Sequence, residues 1–215
     1  MTGHFGADEA GRGPVLGSMF AAAVSVPDED VLPDGITDSK FLTPARREEL
    51  ADALRASPNV AIGIAEVTVS QIDDPETDLN TLTVRAQADA LRQILEDDME
   101  GIVDACDTDE ARFARRVAGK LDKNVTLRAE HGADENYHIV GAASIIAKVA
   151  RDAHVAELAT EYGEVGSGYP SDPTTKTFLT EFVEHHGELP DCARASWQTS
   201  KDALAAREQA GLSEF

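Results

Sequence analysis

Two adjacent carboxylates, followed by an arginine between glycines, stand near the N-terminus in Gly6-Ala7-Asp8-Glu9-Ala10-Gly11-Arg12-Gly13-Pro14. Adjacent strand residues point to opposite faces, so Asp8 and Glu9 can converge on one ion only at a strand end. There Glu9 can also lend its carbonyl. Gly11 and Gly13 can take positive φ and let a ligand approach bare backbone N–H groups, and Arg12 adds a guanidinium suited to phosphate. The plain alternative is an acidic turn capping a hairpin, but such a turn needs one glycine, not two flanking an arginine. Asp104 and Asp134 join the pair as candidates, because each lies where a strand ends or a helix begins. Packed together, four carboxylates cannot all stay ionised without countercharge. Oxygen ligands without a Cys/His cluster favour Mg²⁺ or Mn²⁺ over Zn²⁺. Two such cations about 4 Å apart activate a water and stabilise the leaving oxygen of a phosphodiester displacement.

Neighbouring residues compete for these roles. Asp107 and Asp109 read as caps of a helix starting at 109, and Asp122 as a solvated turn residue. His131 lies near Asp134, where it is either a proton shuttle or a plain loop histidine. Lys148 stands 14 residues beyond Asp134, nearly four turns on if the intervening helix is regular, as a phosphate contact or a solvated lysine. Tyr169 sits in the flexible stretch Ser167-Gly168-Tyr169-Pro170, either presented to a ligand or packed under the loop.

The elements that must position these groups follow from patterning. Residues 18–26 are apolar and turn-bounded and read as a second strand after the one bearing Asp8. Thr43-Pro44 opens a helix to about 56, with Thr as cap and Pro in the first turn. Residues 59–69 alternate as a third strand. Asp78 or Asn80 caps a helix to about 98, whose inner face carries Leu82, Ala86, Ala90 and Leu91. Residues 101–106 form a short buried strand, 109–121 a helix and 124–130 a fifth strand. A long Ala-rich helix covers 139–162, its small residues Gly141, Ala142, Ala143 and Ser144 suited to close packing on a sheet. Asp172 and Pro173 start another helix, and the remainder is helical in pattern, interrupted near Pro190. Strands first and then alternating helices and strands predict an α/β protein: a mixed five-stranded sheet flanked by helices, with a helical C-terminal part. The expected organisation is a core at 1–162, a helical part at 163–208 and a tail at 209–215.

The charge is unusual. Forty acidic against 19 basic residues give a net charge of −21, and six of the basic residues are Lys. That is opposite to the usual footprint of a nucleic-acid binder. An acidic, Lys-poor surface suggests molar cytoplasmic salt, where the Debye length falls to roughly 3 Å and self-repulsion is screened. No apolar run is long enough to span a membrane and no secretory signal is visible, so a cytoplasmic protein is expected. Cys106 and Cys192 make no metal spacing and read as reduced thiols.

Six segments in order resemble type 2 ribonuclease H (ribonuclease HII) in its archaeal form. They are Asp8-Glu9-Ala-Gly-Arg-Gly-Pro, Asp38-Ser39-Lys40, Val103-Asp104-Ala105, Asp134, the run from Ala142 to Asp152, and Gly168-Tyr169-Pro170-Ser171-Asp172-Pro173. The resemblance implies a ribonuclease H-like fold and a two-metal endonuclease, with Asp8 bridging both ions, Glu9 and Asp104 on one, and Asp134 on the other. It implies cleavage of RNA–DNA hybrids, and of duplex DNA 5′ to a single embedded ribonucleotide, leaving 3′-hydroxyl and 5′-phosphate ends. The backbone of Gly11, Arg12 and Gly13 would read the 2′-hydroxyl, Ser39, Lys40 and Lys148 the phosphates, and Tyr169 the sugar after the ribonucleotide. Gln209, Leu212 and Phe215 resemble the box that docks repair enzymes on the sliding clamp, although that box usually ends in two aromatics. The rival expectations are a nuclease of related fold for another junction, and a non-catalytic clamp-associated DNA-binding protein whose acidic cluster is structural.

Overall fold

The computed structural model describes residues 3–36 and 42–212. Ser39, Lys40 and Phe215 therefore lie outside the described residues, as does the side chain of Leu212. The chain divides into two compact units: Met1–Ala10, Phe20–Glu66 and Leu79–Ala150 form the first, and Gly11–Met19, Val67–Asp78 and Arg151–Phe215 the second. The C-terminal residues are thus joined by two short earlier segments, a recruitment that local sequence pattern has no means of showing.

The strands are β1 (His4–Ala10), β2 (Met19–Val26), β3 (Ala61–Val67), β4 (Glu100–Asp104) and β5 (Thr126–Glu130), in the order β3-β2-β1-β4-β5. β1 runs antiparallel to β2 and parallel to β4, and β4 runs parallel to β5, the mixed five-stranded sheet expected from the sequence. The helices are α1 (Pro44–Ala56), α2 (Val69–Ile72), α3 (Leu79–Arg92), α4 (Glu110–Ala118), α5 (Ala133–Asn136), α6 (His138–Tyr162), α7 (Pro173–His186) and α8 (Gln198–Leu212). Three expected caps are in place: Thr43 accepts from Arg46 N, Asp109 from Arg112 N, and Asp172 from Thr174 N.

Both faces of the sheet are covered. Ala22, Val24, Val26 and Ile102 pack with Leu50 and Leu54 of α1 and with Ile139, Ala142, Ala143 and Ile146 of α6. Phe5, Ala7, Ala23 and Val103 pack on the other face with Val84, Ala88 and Leu91 of α3 and with Phe113 and Val117 of α4. The period of two along each strand decides which functional groups share a face. Gly6 shows how close α6 comes: a Cβ there would lie 2.8 Å from the backbone of Ile139 and Val140.

One expected boundary needs correction, and one condition is not met. The third helix of this order ends at Arg92 rather than near Asp98. The amide of Gln93 is drawn to edge strand β3, where it accepts from Ile64 N at 3.3 Å and donates to Ile64 O at 2.8 Å. Asp98 then takes a left-handed conformation with φ 66°. Asp134 and Lys148 also do not share one regular helix, because Tyr137 is extended (φ −127°, ψ 118°) between α5 and α6.

The second unit has its own core of Val15, Leu16, Leu158, Val165, Leu179 and Cys192. Asp73 ties α2 to the segment before α8, accepting from Ala195 N at 2.7 Å and Ser196 N at 2.9 Å. Both cysteines are free thiols, and burial pushes Cys192 up to about 12, which leaves it inert as a nucleophile.

Candidate active site

The acidic residues of the first unit meet through strand register. Ala7 of β1 is level with Val103 of β4, so the next residues in the two parallel strands, Asp8 and Asp104, come side by side. By alternation both fall on the α6 face, with Gly6 and Ile102, whereas Glu9 falls on the α3 face with Phe5 and Ala7. Asp134 follows through α5: Ala133 N donates to Asp104 Oδ1 at 2.8 Å, and Asp134, the next residue, is buried.

Asp8 is 5 % exposed. Burial first, and then the negative charges of Glu9 and Asp104, raise its carboxyl well above the usual carboxylate range. A hydrogen bond to Ser144 and the charge of Lys148 oppose the rise. Lys148 Nζ itself donates to Ser144 Oγ at 2.6 Å, so α6 presents a Lys148–Ser144–Asp8 chain. Glu9 Oε2 accepts from Gln87 Nε2 at 2.7 Å, and Asp8 Oδ1 accepts from Glu9 N at 2.7 Å. Among the described residues, no three His, Cys, Asp or Glu side chains converge on one point as metal ligands do. Asp8, Glu9 and Asp104 are instead each held by a protein donor at one end of the sheet. The chemistry of the four carboxylates nonetheless fits a hard cation: all donors are oxygen, two of them (Asp8 and Asp134) are buried, and their mutual repulsion is what a divalent ion relieves.

In the second unit, Arg194 is fully buried and holds the loop after β1. Its guanidinium donates to Gly11 O at 2.6 Å, Arg12 O at 3.0 Å and Gly17 O at 2.9 Å. Trp197 Nε1 donates to Gly13 O at 3.3 Å, and the Arg194 guanidinium lies 4.9 Å from the centre of the Trp197 ring. All three carbonyls of Gly11-Arg12-Gly13 are therefore tied down, which fixes the peptide planes that follow them and so the direction of the Arg12 and Gly13 N–H groups. Gly11 takes φ 91° as glycine permits, whereas Gly13 is not left-handed. A Cβ on Gly13 would lie 3.6 Å from the Tyr169 ring. Tyr169 is 41 % exposed and carries Arg151 5.1 Å from its ring centre, so it is a presented aromatic and not one packed under the loop.

The ribonuclease HII family model matches residues 5–200, a span that contains every one of these groups. The chain belongs to the ribonuclease HII family. It is 63 % identical over 212 residues to ribonuclease HII of the halophilic archaeon Haloarcula marismortui, covering 99 % of this chain and 100 % of that one. Its fold is similar to that of ribonuclease H2 from Pyrococcus horikoshii, with TM-score 0.89 and 37 % identity across 97 % of this chain and 100 % of that one. A ribonuclease HII from Archaeoglobus fulgidus, solved as a complex with PCNA, matches with TM-score 0.81 and 36 % identity over 93 % and 96 % of the two chains. The protein is accordingly a hydrolase of the ribonuclease H endonuclease class, with the ribonuclease H-like α/β fold expected from its sequence. Among the described residues no helix is long and apolar enough to cross a membrane.

Within this ribonuclease HII fold, the competing residues take structural places. Asp109 caps α4 as expected, but Asp107 does not cap it: its carboxylate is paired with Arg112 and lies 3.6 Å from Arg116. The hydrogen bond from Arg112 lowers the Asp107 carboxyl to about 2. His131 uses both ring nitrogens, Nε2 against Asp107 O at 2.6 Å and Nδ1 beside Glu110 at 2.8 Å, which makes it a loop tie. Ser144, Gln87, Arg194 and Trp197 are the functional candidates that sequence reasoning missed. Ser144 reads there only as a small residue, Gln87 is one polar residue in an apolar stripe, and Arg194 and Trp197 lie in a segment without a motif. Burying Leu82, Val84 and Leu91 contributes roughly 1.5–3 kcal/mol each. That outweighs the roughly 1–3 kcal/mol for leaving Gln87 Oε1 buried without a partner.

Proposed function

We propose that this ribonuclease HII cleaves the RNA strand of RNA–DNA hybrids and the 5′ side of single ribonucleotides in duplex DNA, leaving 3′-hydroxyl and 5′-phosphate ends. The observation that carries the reading is the β1–β4 register, which sets Asp8 beside Asp104 at the end of the sheet. The donor set suits two Mg²⁺ or Mn²⁺ ions: Asp8 would be shared, Glu9 and Asp104 would hold one ion, and Asp134 the other. Divalent cations bound there supply charge neutralisation and Lewis acidity at a phosphodiester. Lys148 and Ser144 hold the buried Asp8 carboxylate, and Lys148 brings a positive charge for a substrate phosphate. Ser39 and Lys40 are assigned to phosphate by family resemblance.

The 2′-hydroxyl separates RNA from DNA, and the N–H groups of Gly11, Arg12 and Gly13 are its proposed reader. Tyr169 is the proposed platform for the sugar that follows. Tyr169→Ala is therefore expected to slow cleavage at a single embedded ribonucleotide by about tenfold or more, and cleavage of an all-RNA strand by less. Parallel assays on the two duplexes check this, and equal losses would leave Tyr169 with a packing role.

The net charge of −21 suits a salt-rich cytoplasm. Raising KCl from about 0.1 to about 1 M should raise the melting temperature, because screening shortens to roughly 3 Å. Cleavage should persist at the higher salt, although counterion release ordinarily weakens nucleic-acid binding there. Full stability at low salt, with activity lost at high salt, would contradict the halophilic reading.

The tail is the proposed clamp contact. Helix α8 runs to Leu212, and Gln209 is exposed on it. Gln209, Leu212 and Phe215 then form a short box for an apolar pocket on the cognate clamp, and tethering raises the local enzyme concentration on DNA. Deleting residues 209–215 is expected to abolish clamp binding in calorimetry and to leave cleavage of free oligonucleotides unchanged. Equal clamp binding by truncated and full-length protein would place the contact elsewhere.

A further inference from the structure

Gln87 is fully buried in the apolar stripe of α3, between Val84 and Leu91. One amide nitrogen serves two acceptors: Nε2 lies 2.7 Å from Glu9 Oε2 and 3.0 Å from Asp104 O. The chemistry of the partners fixes the orientation of the amide, since a backbone carbonyl can only accept and so requires the nitrogen on that side. The oxygen, Gln87 Oε1, points away and is buried without a hydrogen-bond partner. A buried amide with one unpartnered end is unfavourable for stability alone. The two groups it does bind are the carboxylate of Glu9 at the end of β1 and the main chain of Asp104 at the end of β4. Those are the neighbouring parallel strands whose ends carry the acidic site.

We propose that Gln87 is a positioning residue for the endonuclease. Its amide sets the rotation of the Glu9 carboxylate and clamps it to the end of β4, so that Glu9 and Asp104 are preset relative to one another. Groups behind a metal-binding carboxylate act in this manner by orienting it, and their removal typically lowers metal affinity or activity about 10- to 100-fold. The inference rests on the assignment of Glu9 to the active site.

Gln87→Met tests it, because Met keeps the length and apolar packing of the side chain, discards the unpartnered oxygen and removes both hydrogen bonds. Expected are a kcat on an RNA–DNA hybrid lowered about tenfold or more, a KM for the hybrid changed by no more than about twofold, and weaker Mn²⁺ binding to the free protein in calorimetry. Val84→Ala, which loosens the same helix face outside the site, should retain kcat and Mn²⁺ affinity. In the Glu9→Gln background, Gln87→Met should add no more than about a twofold further loss, since it acts through the missing carboxylate. The proposal is overturned if Gln87→Met retains both kcat and Mn²⁺ affinity, if Val84→Ala loses as much, or if Gln87→Met loses as much without Glu9 as with it. Wild-type activity in Glu9→Gln would instead remove the assignment of Glu9 itself, and the inference with it.

Discussion

Asp104→Asn is expected to abolish cleavage while leaving the fold intact. Asp104 closes β4 beside Asp8, and its Oδ1 accepts from Ala133 N at 2.8 Å. Asparagine retains an oxygen that can accept that bond, so α5 stays attached to the sheet. It also removes one of the negative charges that raise the Asp8 carboxyl, which relieves repulsion instead of adding it. The thermal midpoint should therefore move by only a few degrees, equivalent to about 1 kcal/mol. Catalysis loses a charged ligand at the point where cations must be held, and a neutral amide does not replace it. The rate should fall by more than a hundredfold, about 2.7 kcal/mol of barrier. Single-turnover kinetics with circular dichroism check both halves. A variant that keeps over about a tenth of the rate would remove Asp104 from the acidic site.

Arg194→Met is expected to have the largest effect on stability. The guanidinium is buried, and burial, with the charge of Arg151 second, lowers it to about 10, so the fold already tolerates a desolvated cation there. What compensates is the set of carbonyls at Gly11, Arg12 and Gly17. Methionine fills much of the space but donates nothing, which leaves three inward-facing carbonyls without their donor. Hydrogen bonds to charged groups contribute about 1.5–3 kcal/mol each, and removing the desolvated cation offsets part of their loss. A total of roughly 3–5 kcal/mol, or a fall of about 6–20 °C in melting temperature, is expected for a chain of this size. Differential scanning calorimetry measures it. A fall of less than about 2 °C would show that solvent or backbone adjustment replaces Arg194 in holding the loop.

Much of this was legible because the informative patterns are local. Alternation in β1 places Asp8 and Glu9 on opposite faces, and the caps Thr43, Asp109 and Asp172 each act within three residues of themselves. The apolar positions Leu82, Ala86, Ala90 and Leu91 face the core as their spacing predicts. What escaped depends on partners distant in sequence. Gln87 meets Glu9 across 78 positions, and Arg194 meets Gly11 across 183. The end of α3 was misplaced for a similar reason, since Gln93 is captured by β3 across 29 positions. Lys148 was assigned to phosphate, but its link to Asp8 through Ser144 needed the β1–α6 packing that Gly6 permits. Asp107 stands between the local and the distant cases: its partner Arg112 is five residues away, yet a carboxylate just after Asp104 reads equally well as a cap.

The central claim is that this acidic site cuts 5′ to a ribonucleotide. It is tested most directly by incubating the protein with Mg²⁺ or Mn²⁺ and a DNA duplex carrying one internal ribonucleotide, labelled at each end in turn. The account predicts a single cut on the 5′ side of the ribonucleotide, a 3′-hydroxyl on one fragment and a 5′-phosphate on the other, and no product with chelator or with an all-DNA duplex. Cleavage on the 3′ side, a 2′,3′-cyclic phosphate product, or equal cutting in chelator would contradict it.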